Sequence, residues 1–194
     1  MSRILILDGH PDPDAARFVH ALARAYREGA EQGGHEIQVI RLADLDFPIL
    51  RSQLDYQNAA PPEAARRCQT AIEWASHVVI LFPLWMGSMP ALLKALLEQI
   101  LRPGFAFSAA LLGKSRVKML GDKTARVIVT MGMPALVYRW YFRAHSLHSL
   151  ERNILRFVGF RRVNSTVIGN IAGMSPSTRE AWLRRVHRLG QEAR

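Results

Sequence analysis

The chain has 194 residues, 49% hydrophobic and 22% charged, which predicts one globular domain spanning 1–194 with a sizeable core. Its formal net charge of +10 would suit a nucleic-acid ligand, but the arginines are spread over predicted helices without zinc-finger spacing or a basic heptad arm. The apolar runs stop well short of the roughly 20 residues that span a bilayer, so we expect a cytoplasmic protein without membrane insertion or a nucleic-acid partner.

The first third of the chain predicts a strand-helix-strand unit. Arg3–Asp8 is a short apolar strand, and two prolines keep the loop 9–17 from becoming helical. A helical spacing of apolar residues begins at Phe18 and ends before Gly33 and Gly34, and Glu36–Ile40 follows as the second strand. Such units nearly always cross over in the right-handed sense.

The rest of the chain continues this alternation after a long connection between Leu42 and Pro62 without periodicity. The further predicted helices are Glu63–Ala75, Pro90–Leu101, Tyr138–Phe157 and Ala181–Glu192. A capping box at Ser177–Glu180 opens the last of them. The further predicted strands are His77–Phe82, Ala125–Thr130 and Val163–Ile168. We interpret 102–107 as a helix stop followed by an extended aromatic segment, and leave Leu111–Lys114 unassigned. Five strands alternating with helices predict an α/β fold, a flavodoxin-like doubly wound five-stranded parallel sheet with helices on both faces.

The loop after the first strand has features of an anion site. His10 and Arg17 flank it, and the N-terminus of the following helix favours a phosphate through its free N–H groups and its dipole. The loop lacks both the GxGxxG and the Walker patterns, so the anion that fits best is a flavin phosphate. The plainer interpretation is that His10 only bonds its own loop.

The loop after the third strand, 82–90, is the most distinctive stretch of the chain. Trp85 offers an indole, and Gly87 lets the backbone approach a flat ring closely. Because ligands of open α/β sheets bind at the carboxyl ends of the strands, we predict that a flavin ring lies against this loop. The alternative is that Trp85 and Met86 merely cover the core.

The loop after the fourth strand supplies the remaining candidates. Thr130, Gly132 and Met133 can reach the other edge of the ring, while Tyr138 and His145 follow at a spacing that suits the mouth of the pocket. A phenol and an imidazole there could bond a quinone oxygen as it gains a hydride. A hydrolase is disfavoured because no GxSxG elbow occurs, and the scattered histidines predict no metal site.

Three segments together resemble the flavodoxin-fold NAD(P)H:quinone oxidoreductases. They are Gly9–Asp12 with Arg17-Phe18, the run from Phe82 to Lys94 that reads FPLWMGSMPALLK, and the RPGFAF sequence of 102–107. The resemblance covers most of the chain. It implies a homodimeric flavoprotein with its site at the dimer interface, which passes a hydride from NAD(P)H through flavin N5 to a quinone-like acceptor.

The resemblance also implies the site residues. Tyr138 and His145 would be catalytic, and the flavin would be bound by His10, Arg17, Phe18, Val19, Pro83, Leu84, Trp85, Met86, Gly87, Thr130, Met131, Gly132, Met133 and Tyr138. One departure is that 14–16 lacks the Ser or Thr hydroxyl that relatives offer the phosphate, which leaves His10, Arg17 and backbone N–H groups to bind it. We expect FMN, with FAD as the alternative because the elements that would hold its adenylate cannot be located.

Two other functions fit the same fold. Some relatives resemble flavin-bearing ancillary subunits of potassium-efflux transporters, so a regulatory role is the alternative to an enzyme. A flavodoxin-like electron shuttle fits less well, since such carriers are usually acidic and this chain is strongly basic. An enzyme that turns over menadione with NADPH would be distinguished from a subunit that co-purifies with a transporter.

Overall fold

Five parallel strands form the centre of the protein, as the apolar runs predict. The computed structural model describes residues 1–108 and 119–193, so the unassigned Leu111–Lys114 lies outside the described residues. The strand order is β2-β1-β3-β4-β5, the flavodoxin-like order, and every pairing is parallel. The strands are β1 (Arg3–Asp8), β2 (Glu36–Arg41), β3 (His77–Pro83), β4 (Thr124–Thr130) and β5 (Arg162–Ile168).

Helices cover both faces of the sheet. They are α1 (Phe18–Gln32), α2 (Gln53–Asn58), α3 (Glu63–Trp74), α4 (Ala91–Ile100), α5 (Ala135–Trp140), α6 (His145–His148), α7 (Arg156–Val158) and α8 (Pro176–Gln191), with a 3-10 turn at Leu42–Asp44 and a π-helix at Ser149–Leu155. Helices α1 and α8 pack together on one face, and α3 and α4 on the other. None of the described helices is long and apolar enough to cross a membrane.

Alternating residues of the central strands pack into two separate hydrophobic cores, one on each face of the sheet. On β1, Leu5 and Leu7 join the core under α3 and α4, while Ile4 and Ile6 join the core under α1 and α8. All seven residues of β3 are buried. Burial on both faces explains why these strands appear in the sequence as continuous apolar runs.

The two helices on the α1 face approach closely at glycines. A Cβ on Gly29 would lie 1.9 Å from the carbonyl oxygen of His187, and one on Gly190 would lie 2.1 Å from that of Tyr26. Real Cβ atoms do not come so near to backbone atoms. Helices α1 and α8 can therefore pack this closely only because glycine occupies both positions. This contact fixes α1, whose N-terminus follows the first loop.

The predicted helix over Tyr138–Phe157 is wrong as a single element. Helix α5 already begins at Ala135, and the chain then reverses at Arg143 and Ala144, whose φ angles are 49° and 47°. Two successive residues in the left-handed region cannot continue a right-handed helix. The segment after the break consists of α6, the π-helix and α7.

Three smaller predictions also need correction. The last helix begins at Pro176 and not at Ala181, because the Ser175 hydroxyl caps it by accepting the Thr178 N–H at 3.2 Å. The long connection before Pro62 contains α2, capped in the same way by Ser52. The segment 102–107 is a turn around Gly104, with φ of 87°, and is not extended.

Candidate active site

The loops after β1, β3 and β4 meet at the carboxyl edge of the sheet, as predicted. The Gly9 N–H donates to the Leu81 carbonyl at 2.7 Å, which joins the first loop to β3. The Leu84 N–H donates to the Thr130 carbonyl at 2.7 Å and joins the second loop to the third. The residues that sequence reasoning selected from three distant segments therefore line one edge.

The first loop is held by a series of side-chain bonds to the N–H two residues further along. Asp8 accepts from His10 at 3.2 Å, His10 Nδ1 from Asp12 at 3.0 Å, Asp12 from Asp14 at 2.9 Å and Asp14 from Ala16 at 3.0 Å. These are the local bonds for which Asp is favoured in turns. Most N–H groups of this loop are consequently already used.

His10 lies at the inner end of this loop and is 7% exposed. Its ring stands edge-on to Trp85, with centroids 5.8 Å apart, and lies 5.3 Å from the ring of His20. Burial, and then the proximity of His20, lower the pKa of His10. Since Nδ1 accepts the Asp12 N–H, the neutral ring carries its proton on Nε2 and is a donor at that atom.

Arg17 forms ion pairs with two carboxylates of its own loop. Its Nε lies 2.7 Å from the Asp12 carboxylate and its Nη2 lies 3.3 Å from that of Asp14. Both carboxylates belong to the loop itself. The guanidinium thus braces the loop, and half of its side chain remains exposed.

The start of α1 keeps two donors available. No described residue accepts the N–H groups of Phe18 or Val19, and Arg17 provides no side-chain cap. The side chain of Val19 is buried in the core, so only its backbone faces the loop. The Arg179 guanidinium lies 5.1 Å from the centroid of the Phe18 ring, a neighbour that nothing in the sequence spacing indicates. This pair brings a cation to the helix N-terminus.

The second loop turns back on itself at Trp85. Trp85 and Ser88 exchange both backbone bonds, at 2.8 and 2.9 Å, while Met86 and Gly87 have φ angles of 48° and 79°. Positive φ at both central positions is the type I′ arrangement, which Gly87 adopts without strain. Among the described residues nothing accepts the N–H of Met86 or Gly87, and a Cβ on Gly87 would meet no atom within 4 Å. The turn therefore presents two donors beside open space.

The third loop contains an unsatisfied polar group. The Thr130 hydroxyl is buried and has no hydrogen-bond partner within the described part of the chain. Gly132, two residues on, is exposed and has open space where a side chain would project. Met131 is buried in the core, its N–H donates to the Ile168 carbonyl at 2.9 Å and its carbonyl accepts the Ile171 N–H at 3.2 Å. A buried hydroxyl without a partner is costly unless a ligand completes it.

Tyr138 lies deeper than the sequence suggests. It is 2% exposed and belongs to the core, and its hydroxyl accepts the Leu147 N–H at 3.2 Å. Burial raises the pKa of the Tyr138 phenol, so it stays protonated at neutral pH. The Ser146 hydroxyl partly offsets this rise in the pKa of Tyr138, and it donates to the Ser88 hydroxyl at 3.2 Å. Tyr138 is thus connected to the Trp85 turn through one serine.

His145 opens α6 and is exposed. The next residue, Ser146, contacts the Trp85 turn, so His145 is one residue away from that contact. The left-handed residues Arg143 and Ala144 bring α6 to this position. Sequence spacing placed Tyr138 and His145 together, but not the reversal between them.

A separate apolar cavity of about 470 Å³ lies away from the three loops. Tyr56 of α2, Leu97 of α4 and Ile154 of the π-helix line it, and no residue of the loops does. The loop edge has the features that a phosphorylated flat ring requires: a ring-NH donor at His10, open N–H groups and an unsatisfied buried hydroxyl.

Comparison with known proteins gives a consistent result. The family model described as a flavodoxin-like fold matches residues 2–189. An uncharacterized NAD(P)H oxidoreductase of Haemophilus influenzae is 26% identical, over 92% of this chain and 89% of its own. An FMN-dependent NADH:quinone oxidoreductase of Macrococcus caseolyticus is 27% identical, over 68% of this chain and 70% of its own. The solved NAD(P)H:quinone oxidoreductase of Methanothermobacter marburgensis superposes with a TM-score of 0.84 at 25% identity, covering 100% of this chain and 99% of that one.

Proposed function

We propose that this chain, which belongs to the flavodoxin-like fold family, is an NAD(P)H-dependent flavoprotein oxidoreductase that reduces a quinone or a similar small acceptor. When bound, a flavin would supply the hydride chemistry between NAD(P)H and the acceptor, and the protein would supply binding, orientation and charge. The relatives named for this activity support an enzyme over a transporter subunit.

The observation that carries the proposal is the unsatisfied Thr130 hydroxyl beside open backbone donors. The hydroxyl faces no partner in the described chain, and the N–H groups of Met86, Gly87 and Gly132 have none either. Heteroaromatic ring edges rich in carbonyls and nitrogens bond such groups. The loops after β3 and β4 would therefore hold a flavin ring mainly through backbone atoms.

FMN is the flavin that the first loop favours. His10 Nε2–H and the N–H groups of Phe18 and Val19 lie at one helix N-terminus, where the dipole also attracts a single phosphate. Arg179 on Phe18 adds a positive charge. Arg17, held by Asp12 and Asp14, would act by bracing the loop and not as the main ligand.

We propose that His145 is the catalytic residue on the acceptor side. It is exposed beside the Trp85 turn, where an imidazole can bond or protonate an acceptor oxygen. Tyr138 would contribute through its hydroxyl, which holds Leu147 and Ser146 at the start of α6.

Titration of the flavin-free protein with FMN tests this function. We expect saturable binding with quenching or shift of the flavin spectrum, and oxidation of NADH or NADPH by menadione only when FMN is present. Thr130→Val should weaken FMN binding by about 10-fold, because it removes one buried bond to the ligand. The same variant should not lower the stability of the flavin-free protein, since its hydroxyl has no partner there. Failure of the wild-type protein to bind FMN or FAD would refute the proposal.

We further propose that two copies form a homodimer next to the site. Large apolar side chains project from α5 and from the residue after it, with Leu136 69%, Trp140 81% and Tyr141 80% exposed. Such a concentration on a basic soluble fold marks an interaction surface. It begins a few residues after the Thr130 loop, so a second copy seated there would cover the edge of the site.

Trp140→Glu should convert the dimer into a monomer at micromolar concentration, since it buries a charge at the contact. Light scattering after size-exclusion chromatography measures the mass. Leu54→Glu, at a 69% exposed position on α2, is the matched control and should leave the mass unchanged. A monomeric wild-type protein, or a Trp140→Glu variant that stays dimeric, would contradict this assignment.

A further inference from the structure

A buried acid and a buried imidazole lie directly beneath the first loop. Asp8 and His20 are each 3% exposed, and the Asp8 Oδ2 atom lies 2.5 Å from His20 Nδ1. Asp8 ends β1, and His20 lies in the first turn of α1. We propose that this pair is a positioning device for the flavin phosphate, which makes the site selective for FMN over riboflavin. The inference rests on the proposed function and deepens it.

The pair must hold a proton between its two atoms. His20 Nε2 lies 2.9 Å from the Asp12 carbonyl oxygen, which can only accept, so Nε2 carries a hydrogen. If that were the only ring proton, a lone pair on Nδ1 would face a carboxylate lone pair at 2.5 Å. A second proton therefore sits between them, and the pair as a whole is neutral. A neutral pair can be buried here without an uncompensated charge.

Asp8 and His20 form hydrogen bonds to the first loop at two points. Asp8 Oδ1 accepts the His10 N–H at 3.2 Å, and His20 Nε2 donates to the Asp12 carbonyl at 2.9 Å. Between these points, His10 Nδ1 accepts the Asp12 N–H at 3.0 Å. The loop is thus tied both to the end of β1 and to the first turn of α1. Those ties fix His10 relative to the donors of Phe18 and Val19.

The consequence concerns the orientation of one donor. The Asp12 N–H donates to Nδ1 of His10, so the neutral ring has its hydrogen on Nε2 and can donate it to a ligand. The lowered pKa of His10 favours this neutral form. Burying an ion pair seldom stabilises a fold more than apolar packing would. A role in orienting His10 gives the pair a function that packing alone could not supply. The orientation of His10 would affect the binding only of ligands that have a phosphate, because the flavin ring would be bound by the other two loops.

The test compares FMN with riboflavin, which lacks the phosphate. In Asp8→Ala and His20→Ala we expect FMN affinity to fall about 10- to 100-fold, the loss of one or two hydrogen bonds to a charged group, with riboflavin affinity within about 3-fold of wild type. Asp8→Asn should restore FMN binding, because its amide oxygen accepts from His10 and its NH₂ donates to a neutral His20. Fluorescence titration of each flavin-free protein with FMN and with riboflavin measures these affinities.

His77→Gln is the matched control. His77 is likewise a buried histidine bonded to a side chain, Thr124 at 2.7 Å, but it lies at the opposite end of the sheet. It should lower stability in urea and leave the ratio of FMN to riboflavin affinity unchanged. An equal loss of both affinities in the Asp8 and His20 variants would show a merely structural role and overturn the inference.

A second measurement needs no ligand. Long-range ¹H–¹⁵N spectra of the flavin-free protein should show His10 as the Nε2–H tautomer in the wild type and a mixture of tautomers in Asp8→Ala. An unchanged His10 signal in that variant would also overturn the inference. If the wild-type protein binds neither flavin while its His10 spectrum is as expected, the proposed function fails on its own, and the phosphate selectivity falls with it.

Discussion

Replacing Gly29 with alanine should destabilise the flavin-free protein by about 3 kcal/mol, and Gly190→Ala should do the same. The new Cβ atoms would lie 1.9 Å from the His187 carbonyl oxygen and 2.1 Å from the Tyr26 carbonyl oxygen. Both obstacles are helix backbone, so relief requires α1 and α8 to separate. Intrinsic propensity alone would give the opposite sign, since alanine favours a helix over glycine by about 1 kcal/mol.

Urea unfolding of the flavin-free variants measures this effect. Gly132→Ala serves as the control for stability, because a Cβ there meets no atom within 4 Å and we expect a change below about 0.5 kcal/mol. A Gly29→Ala variant as stable as the wild type would show that the helices can shift apart at little cost. Because the N–H groups proposed to bind the phosphate lie at the start of α1, we also expect weaker FMN binding in this variant.

The contact at Gly29 illustrates what the sequence can and cannot predict. The bounds of α1 follow from local signals: a helical spacing from Phe18 and a stop at Gly33 and Gly34. Within that pattern Gly29 is only one small residue on the apolar face. Its reason for being glycine lies in α8, at the far end of the chain, and no local pattern connects the two. The strands were easier to predict, because burial on both faces leaves a continuous apolar run.

The segment after the fourth strand shows the opposite case, where local signals mislead. Residues 138–157 have the composition of one long helix, yet Arg143 and Ala144 adopt left-handed backbone that neither residue favours. The packing of Leu147 and Leu150 into the core and the Tyr138 bond to the Leu147 N–H accompany this reversal. Tertiary contacts thus override propensity at the point where α6 meets the Trp85 turn.

The sequence predicts that the three loops converge, but it does not predict the contacts that individual residues make there. Parallel strands must end at one edge, so His10, Trp85 and Thr130 had to be neighbours. The sequence predicts Arg17 as a phosphate ligand from its charge, its place before a helix and the family resemblance, but the ion pairs of Arg17 with Asp12 and Asp14 become visible only in the structure. The pairing of Asp8 with His20 was equally invisible, since a strand end and a helix start face each other only after folding.

His145→Ala should slow acceptor reduction by about 10²- to 10⁴-fold, the usual contribution of a general acid or base. The side chain is exposed at the start of α6 and does not belong to either core of the described residues, so flavin affinity and stability should change little. Stopped-flow measurement separates the two half-reactions. We expect flavin reduction by NAD(P)H to keep its rate and flavin reoxidation by menadione to lose it.

Tyr138→Phe should produce a different pattern. Phenylalanine removes the acceptor of the buried Leu147 N–H, which costs about 1 to 3 kcal/mol of stability and loosens α6 behind His145. Reoxidation should slow by about 10-fold, less than in His145→Ala, because the imidazole remains present but less well placed. His148→Ala, exposed on the same short helix, should leave both half-reactions unchanged. If His148→Ala slowed reoxidation as much as His145→Ala, the position of α6 and not the imidazole of His145 would govern the step.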